Sequence, residues 1–477
     1  MQPRGRPIGW QLLGFAGSSL LAVGALGAGV LPKPDPLRDA VVLSAMRAGP
    51  GRVICIALAA GGMAALVVAW LGLGRLLDGC DLRRLYLTAA LWGAPLALAP
   101  PILSRDVYAY AVAGQMMATG LNPYQHGAGD LVSPWVTSTS TSWLHVPFAY
   151  GPLFLMLTRA VVAGAGGSLL AVVLGMRLLA VAGTVLLGWA LPQAARACGV
   201  DERRAVWLGL VNPLVLAHFV GGAHADALMV GLLVAGLAVA AGRWPAAGAL
   251  LCTLAVAVKA TAAVALPFVA LLWLLHRRWS LVRAVAATVG VAAVTFVGVT
   301  ALSGLGYGWV STVSTVGLSR QWTSLPTGLG LVVAAASPVS TDTALGVTRA
   351  AALALTAATL VWLWLRVLRH PEPRTVLLHC GLALGVVVVL GPAVHPWYLS
   401  WPLAVLAAAG IAGTAGRAVV AASAALCFLV MPDGYNLALA TKPVGLALDV
   451  AVTAALIGWA VRRRTRTRSQ NPDRVPA

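Results

Sequence analysis

An all-α bundle of membrane-spanning helices is the fold class that this sequence predicts, and three observations predict it. Hydrophobic residues make up 60% of the 477 positions and charged residues only 10%, with a mean hydropathy of +0.87, so there is too little polar surface to cover a water-soluble globule. Apolar runs of about 20 residues recur, each long enough to cross a hydrocarbon core as a helix. The runs lack strand-like alternation, and lipid cannot satisfy free backbone N–H and C=O groups, which leaves helices as the spanning element.

Taken in order, the apolar runs give about fourteen spans, near 10–31, 53–73, 85–103, 169–191, 205–219, 227–241, 246–258, 260–275, 284–302, 343–365, 376–393, 398–413, 417–431 and 444–461. Residues 10–31 outrun the apolar core of a signal peptide and read as a retained first span. With both termini cytoplasmic, about 22 of the 33 Lys and Arg fall on the cytoplasmic side and about 9 outside, as the positive-inside rule asks. A fifteenth span at 151–165 would export Arg196, Arg203 and Arg204, so that stretch reads as a re-entrant or interfacial helix. Fusing 246–258 with 260–275 would export Arg277, Arg278 and Arg283, so these stay two helices joined around Lys259.

This arrangement makes one membrane domain over residues 1–461, with long outer loops at 104–168 and 303–342 and a basic cytoplasmic tail at 462–477. Function concentrates where loops are long, here on the outer face. The formal charge of +19 is spread over short connections, which marks topology and contact with membrane lipid and argues against nucleic acid. Cys55, Cys80, Cys198, Cys252, Cys380 and Cys427 fall in spans or cytoplasmic loops and form no disulfide framework. No zinc spacing occurs, and no cofactor is expected.

The chemistry-bearing residues cluster at the outer ends of spans. Ser104 can cap a helix running to about Thr119, which puts Asp106 in its first turn beside Tyr108 and Tyr110. Asp106 then reads either as a base for a sugar hydroxyl or as a capping residue paired with Arg105. Asn122-Pro123-Tyr124 and Tyr150-Gly151-Pro152 set aromatic rings beside prolines, suited to a sugar face or to interfacial anchoring; Trp135 and Trp143 read as anchors. His224 and Asp226 lie in an outer turn, where most such residues are merely solvated. His395-Pro396-Trp397-Tyr398 and Lys259 sit at the outer interface, where they anchor or snorkel, or else meet a lipid phosphate. Arg177, Arg349 and Asp449 fall in the outer halves of spans, where charges face a cavity or a partner.

Five strings make a resemblance specific: SRDVYAYAVAGQMMATGLNPY from Ser104, PFAYGPLFL from Pro147, NPLVLAHFVGGAHADALMVGLL from Asn212, VKATAAVALP from Val258 and HPWYLSWPL from His395. Together they resemble the polyprenol-phosphate-mannose-dependent α-(1→6)-mannosyltransferases of mycobacteria and corynebacteria, of the GT-C class of membrane glycosyltransferases. The resemblance implies a catalytic carboxylate on the first large outer loop, which falls on Asp106, and it raises His224 and Asp226 as residues that bind acceptor hydroxyls or assist Asp106. It further implies a polyprenyl-phosphate mannose donor, a growing mannan glycolipid acceptor and products of lipomannan or lipoarabinomannan type. Many GT-C enzymes carry two adjacent acidic residues there; this chain has Arg105-Asp106, which puts a divalent-metal requirement in doubt.

The expected reaction is an inverting displacement, with Asp106 as base and His395, Lys259, Arg320 and the intramembrane arginines available to the departing phosphate. A transporter or lipid flippase is the rival from another class, and another polyprenyl-phosphate-sugar transferase, such as an arabinofuranosyltransferase, the rival among enzymes. Unusual residues gathered at the outer face, with no paired repeats at the midplane, favour the enzyme.

Overall fold

A computed structural model describes residues 7–35, 39–432 and 435–469 as a helical bundle. In chain order the helices are α1 (Pro7–Ala28), α2 (Val41–Arg47), α3 (Gly49–Gly74), α4 (Leu82–Leu98), α5 (Asp106–Ala118), α6 (Pro152–Gly164) and α7 (Leu169–Ala197). The centre of the chain holds α8 (Glu202–Gly209), α9 (Pro213–Val215), which runs into a π-helical turn at Leu216–Gly221, α10 (Asp226–Gly242), α11 (Pro245–Val256), α12 (Leu266–Arg277) and α13 (Leu281–Ser303). The remainder comprises α14 (Trp309–Thr312), α15 (Leu325–Ala336), α16 (Thr341–Leu368), α17 (Pro373–Val389), α18 (Ser400–Ala408), α19 (Gly413–Leu426), α20 (Leu437–Ala440) and α21 (Lys442–Ser469). Where the sequence offers an Asp or Ser ahead of an apolar run, it starts the helix: Asp81 accepts from the Arg84 amide at 2.8 Å and Asp201 from the Arg203 amide at 2.9 Å.

Among the described residues six helices are long and apolar enough to cross a membrane: Pro7–Ala28, Gly49–Gly74, Leu169–Ala197, Ala260–Arg277, Leu281–Ser303 and Thr341–Arg369; the bent pair Glu202–Gly209 and Pro213–Gly221, counted as one span, makes seven. The expected fourteen spans are therefore not reproduced as fourteen full-length helices. Several of the others are short because they are buried in protein, where a backbone need not run straight through lipid. Thirteen of the seventeen residues of α10 are buried, whereas only 11% of the apolar window of α13 is buried. Hydropathy alone cannot tell protein-facing from lipid-facing apolar surface.

Other departures are local. The stretch 398–413 holds only the nine-residue α18, and the loop expected at 303–342 contains the apolar helix α15, which packs on α16 and α21. The stretch 151–165 forms the thirteen-residue α6, too short to cross, and packs on α5. Lys259 does separate two helices, as the arginine pattern asked. The basic tail begins as a continuation of α21, and its residues 470–477 lie outside the described residues. All six cysteines are buried and unpaired.

One end of the bundle collects the long connections and is held by cross-links between them. Val30 N–H bonds Pro101 O at 2.9 Å, Phe148 N–H bonds Pro123 O at 2.9 Å, and Gly151 N–H bonds Val258 O at 2.9 Å. The Lys33 amide bonds Ser138 Oγ at 2.8 Å, and Thr323 Oγ1 bonds Val394 O at 3.1 Å. Toward the other end Trp70 and Trp207 clasp each other. Each indole N–H donates to the other's carbonyl, at 3.1 and 2.9 Å, and the rings stack 5.0 Å apart.

The α1–α3 contact depends on small residues, because a Cβ on Gly62 would stand 2.5 Å from Gly17 O and 2.6 Å from Leu21 N. Gly61 has nothing within 4 Å of the same position. Gly62→Val should therefore lower the thermal unfolding midpoint in detergent, at an overpacking cost of about 1–3 kcal/mol, while Gly61→Val leaves it near the wild-type value. Equal midpoints for the two variants would show that the close approach does not hold α1 to α3.

Candidate active site

The site is assembled at the loop-rich end around three stretches that do not adjoin in sequence, to which Lys259, Arg320 and the segment of Trp143 and Tyr150 add further walls. Its first component is the start of α5. Ser104 Oγ accepts the Asp106 amide at 3.1 Å, but the expected serine cap is displaced by one residue: Arg105 holds the N-cap position of α5 without a side-chain cap bond, and Asp106 is the first helical residue. Leu103, just before it, holds φ at +70°, a conformation L side chains seldom adopt and one that collects at functional sites.

The second component is the segment from the π-helical turn to α10. Asn212 caps α9 by accepting the Leu214 amide at 3.0 Å, and the π-turn at Leu216–Gly221 then carries His218 into the interior. Ala223 takes φ of +52°, and Gly222 must lack a side chain because a Cβ there would lie 2.8 Å from both His218 O and the His224 ring. The strained turn delivers His224 to Asp106, with Nδ1 3.3 Å from Oδ2. His224 is fully buried, while the Asp106 side chain keeps 18% of its surface exposed. Of the readings open for the His224 and Asp226 turn, solvation does not hold, since both residues are enclosed.

Asp226, 1% exposed, accepts from Lys259 Nζ at 2.9 and 3.1 Å and from the Trp401 indole N–H at 2.6 Å. The ammonium also lies over the rings of Tyr398 (4.5 Å) and Trp401 (4.9 Å). The third component, the segment before α18, supplies His395, Trp397 and Tyr398. Trp397 is sandwiched between His224, 4.1 Å away, and His395, 4.7 Å away.

Asp106, Lys259, His395, Trp397 and Tyr398 border a cavity of about 570 Å³ that Arg320, Tyr150, Trp143 and Gln321 also line, while His224, Asp226 and Trp401 stand behind its wall. That size is ordinary for a small-molecule site. Arg320 reaches it while paired with Asp342 at 2.6 Å. Burial raises the Asp106 carboxyl, but the neighbouring His224, with Lys259 farther off, pulls more strongly the other way, so it stays below the usual carboxylate value. Burial pushes His395 down to about 4, leaving a neutral imidazole that donates one hydrogen bond. Tyr110 and Tyr150 are pushed well above the ordinary tyrosine value by burial and remain phenols, their hydroxyls 3.5 Å apart.

The other expected residues hold the loop and do not border the cavity. Tyr108 donates to Val30 O at 2.7 Å, and Arg105 donates to Leu31 O and Ser138 O at 3.3 and 3.1 Å. Asn122 forms a turn by accepting the Tyr124 amide at 2.9 Å, and Tyr124 donates to Tyr150 O at 3.0 Å. Sequence reasoning missed Trp401, His218 and the cavity role of Trp143, which stacks on Phe148 at 5.2 Å. The signal for Trp401 lay in the quoted HPWYLSWPL string itself. Arg349 donates to Gly317 O and Ser319 O at 2.6 and 2.7 Å and so supports the cavity's far wall. Asp449 packs against Gly328, away from the cavity. Among the described residues no group of three or more His, Cys, Asp or Glu could hold a metal ion.

Fold and site define a helical membrane protein with an enzyme's cavity at one end: an ionised carboxylate, aromatic walls and facing cations. Residues 11–275 match the family described as alpha-(1->6)-mannopyranosyltransferase, N-terminal domain, and residues 322–461 match the MptB C-terminal domain. The chain is 34% identical over 480 residues to alpha-(1->6)-mannopyranosyltransferase A of Mycobacterium tuberculosis, covering 98% of this chain and 91% of that one. It is 31% identical to alpha-(1->6)-mannopyranosyltransferase B of Corynebacterium glutamicum, over 97% of this chain and 83% of that one. The chain belongs to the α-(1→6)-mannopyranosyltransferase family and is a glycosyltransferase.

Two outcomes test the site's electrostatics. Lys259→Met strands the Asp226 carboxylate and should destabilise the protein by about 3–5 kcal/mol, with Asp226→Asn in the same chain restoring part of the loss; an additive double variant would show that the pair is not coupled. Because His395 takes up its proton less readily folded than unfolded, stability should fall as pH drops from the ordinary histidine value near 6.5 toward about 4 and level off below. His395→Gln should flatten that part of the unfolding-midpoint profile, and an unchanged slope would assign the acid sensitivity elsewhere.

Proposed function

We propose that this protein transfers mannose from polyprenyl-phosphate mannose to a growing α-(1→6)-mannan acceptor, with inversion, on the extracytoplasmic face of the plasma membrane. The products would be glycolipids of lipomannan or lipoarabinomannan type, made by residues 1–461 as one catalytic unit. The observation that carries this reading is Asp106: a largely buried carboxylate with one edge open on the cavity wall, backed by His224 and facing Lys259, His395 and Arg320.

The acceptor hydroxyl loses its proton to Asp106 as its oxygen attacks the anomeric carbon, and the bond from that carbon to the phosphate oxygen breaks. The polyprenyl phosphate leaves with the electron pair. Lys259 meets the growing negative charge, because Asp226 takes two of its three ammonium protons and one is left over. His395 and Arg320 are the further donors on the same cavity. The stacked Trp397 and the Tyr398 ring offer flat apolar surface to the sugar.

A lipid-linked donor is supported by an almost wholly apolar groove of about 680 Å³, lined in part by Val264, Pro267, Phe268, Val289, Phe296 and Trp309. The short helix Ala260–Ala265 separates it from Lys259, so a phosphate at Lys259 could carry its prenyl tail into that groove. The same cavity could serve another polyprenyl-phosphate sugar such as an arabinofuranosyl donor; the names of the relatives favour mannose.

Membranes containing the protein, given labelled polyprenyl-phosphate mannose and a short α-(1→6)-mannoside, should elongate the acceptor. Asp106→Asn keeps the side chain's size and should lower the rate by about 10²–10⁴, the usual general-base contribution. Asp226→Asn, compared per folded molecule, should retain more activity because Asp226 acts through Lys259 and Trp401. A near-wild-type Asp106→Asn beside a dead Asp226→Asn would move the base to Asp226, and transfer from a nucleotide sugar alone would sink the lipid-donor reading.

A further inference from the structure

Beside the catalytic cavity, on the other flank of the α5 start, lies a second cleft of about 610 Å³ that shares no lining residue with it. Its walls come from the ends of α1, α4 and α7 that meet the loops, and Tyr108, Pro134 and Trp135 close it above. Leu98, Leu170 and Leu174 in its lining are 87%, 64% and 49% exposed. In a membrane protein such a wall opens sideways into lipid. Leu178, one turn further along α7 and 70% exposed, continues the apolar stripe down the helix at the spacing of a helical face.

The polar lining is cationic. Lys33, Arg47 and Arg177 stand against the single carboxylate of Asp35, which pairs with Arg47. Arg177 is the unusual one: it is 4% exposed, it donates to Ala97 O, Ala99 O and Gly221 O at 2.8, 2.5 and 3.0 Å, and its Nε is buried without any acceptor. Among the described residues no carboxylate pairs with it. A buried cation held by carbonyl dipoles alone, next to an open cleft, lacks the anion that such charges ordinarily have.

We infer that this cleft binds an anionic phospholipid of the surrounding leaflet, its phosphate at Lys33 and Arg177 and its chains along the α7 stripe. Charge complementarity selects the headgroup, since a guanidinium and an ammonium at the membrane boundary suit a phosphate oxygen better than a zwitterionic head. The lateral opening selects a bilayer lipid over a soluble anion. The site goes beyond the transfer reaction, although it touches the catalytic loop: Tyr108 lines the cleft, and Arg105, whose guanidinium ties Leu31 to Ser138, immediately precedes Asp106. A bound headgroup would therefore brace the turn that presents the base.

The full chain in phosphatidylcholine nanodiscs, doped with photoactivatable phosphatidylglycerol or photoactivatable phosphatidylcholine, would be irradiated and the labelled peptides mapped. Phosphatidylglycerol should label the segments 31–35, 98–101, 134–135 and 169–174 about tenfold more than phosphatidylcholine, and Lys33→Gln, whose side chain is exposed and safe for folding, should cut that excess about fivefold. His395→Ala, in the catalytic cavity, should leave it unchanged, which separates this site from the donor site. Equal labelling by the two lipids, or an excess indifferent to both Lys33→Gln and Arg47→Gln, would overturn the proposal. So would displacement by polyprenyl phosphate but not by unlabelled phosphatidylglycerol, which would make the cleft a prenyl site, or displacement by millimolar inorganic phosphate alone, which would make it a free-anion site.

Discussion

The ion pair between Asp226 and Lys259, completed by the Trp401 indole, is the interaction on which the cavity depends. It joins the first residue of α10, the break after α11 and the body of α18, segments separated by up to 175 positions. A carboxylate 1% exposed cannot stand unpaired in such surroundings, so the three segments must meet there. Once they do, geometry follows along the chain. Asp226 fixes the end of the strained turn that carries His224, Lys259 fixes the segment whose Val258 carbonyl receives Gly151, and Trp401 fixes the stretch that brings in His395 and Trp397.

This division gives the two acidic residues different work despite their closeness. Asp226 has its oxygens taken by Lys259 and Trp401 and is enclosed by them. Asp106 keeps one histidine neighbour and an exposed edge on the cavity. A proton acceptor must be reachable by the group it deprotonates, and only Asp106 has that access. In the proposed reaction the buried pair instead contributes a fixed cation close to the place where negative charge develops, which is the kind of preorganisation that makes electrostatic stabilisation effective in a site shielded from water.

Much of this was legible in the sequence, and the reasons for the rest are physical. The α5 start was legible to within a residue because a serine ahead of an aspartate, at the end of an apolar run, is a local signal, and four of the five strings carry cavity-lining residues, whereas the wall from Thr315 to Gln321 and the stretch from Ser142 to Val146 lie outside them. The partnership of Asp226 with Lys259 and Trp401 was not, since it is made by tertiary packing across segments that share no periodicity. The span count erred for a related reason. Helices such as α10 and α18 are apolar because they are wrapped in other helices, and α13 is apolar because it faces lipid; a hydropathy window gives both the same reading.

The start of α5 is a partition with a different polar problem on each side. Toward the catalytic cavity the chain places an anion, Asp106, opposite cations; toward the second cleft it places cations, Lys33 and Arg177, with little anion to answer them. Arg105 and Tyr108 flank Asp106 in sequence yet turn their polar groups to the backbone of residues 30–31, so the same helical turn that aims the Asp106 carboxylate also closes the neighbouring cleft. Any force that holds that cleft together therefore acts on the orientation of the carboxylate. With a headgroup in that cleft as proposed, its charge acts on the Asp106 carboxylate through one turn of helix.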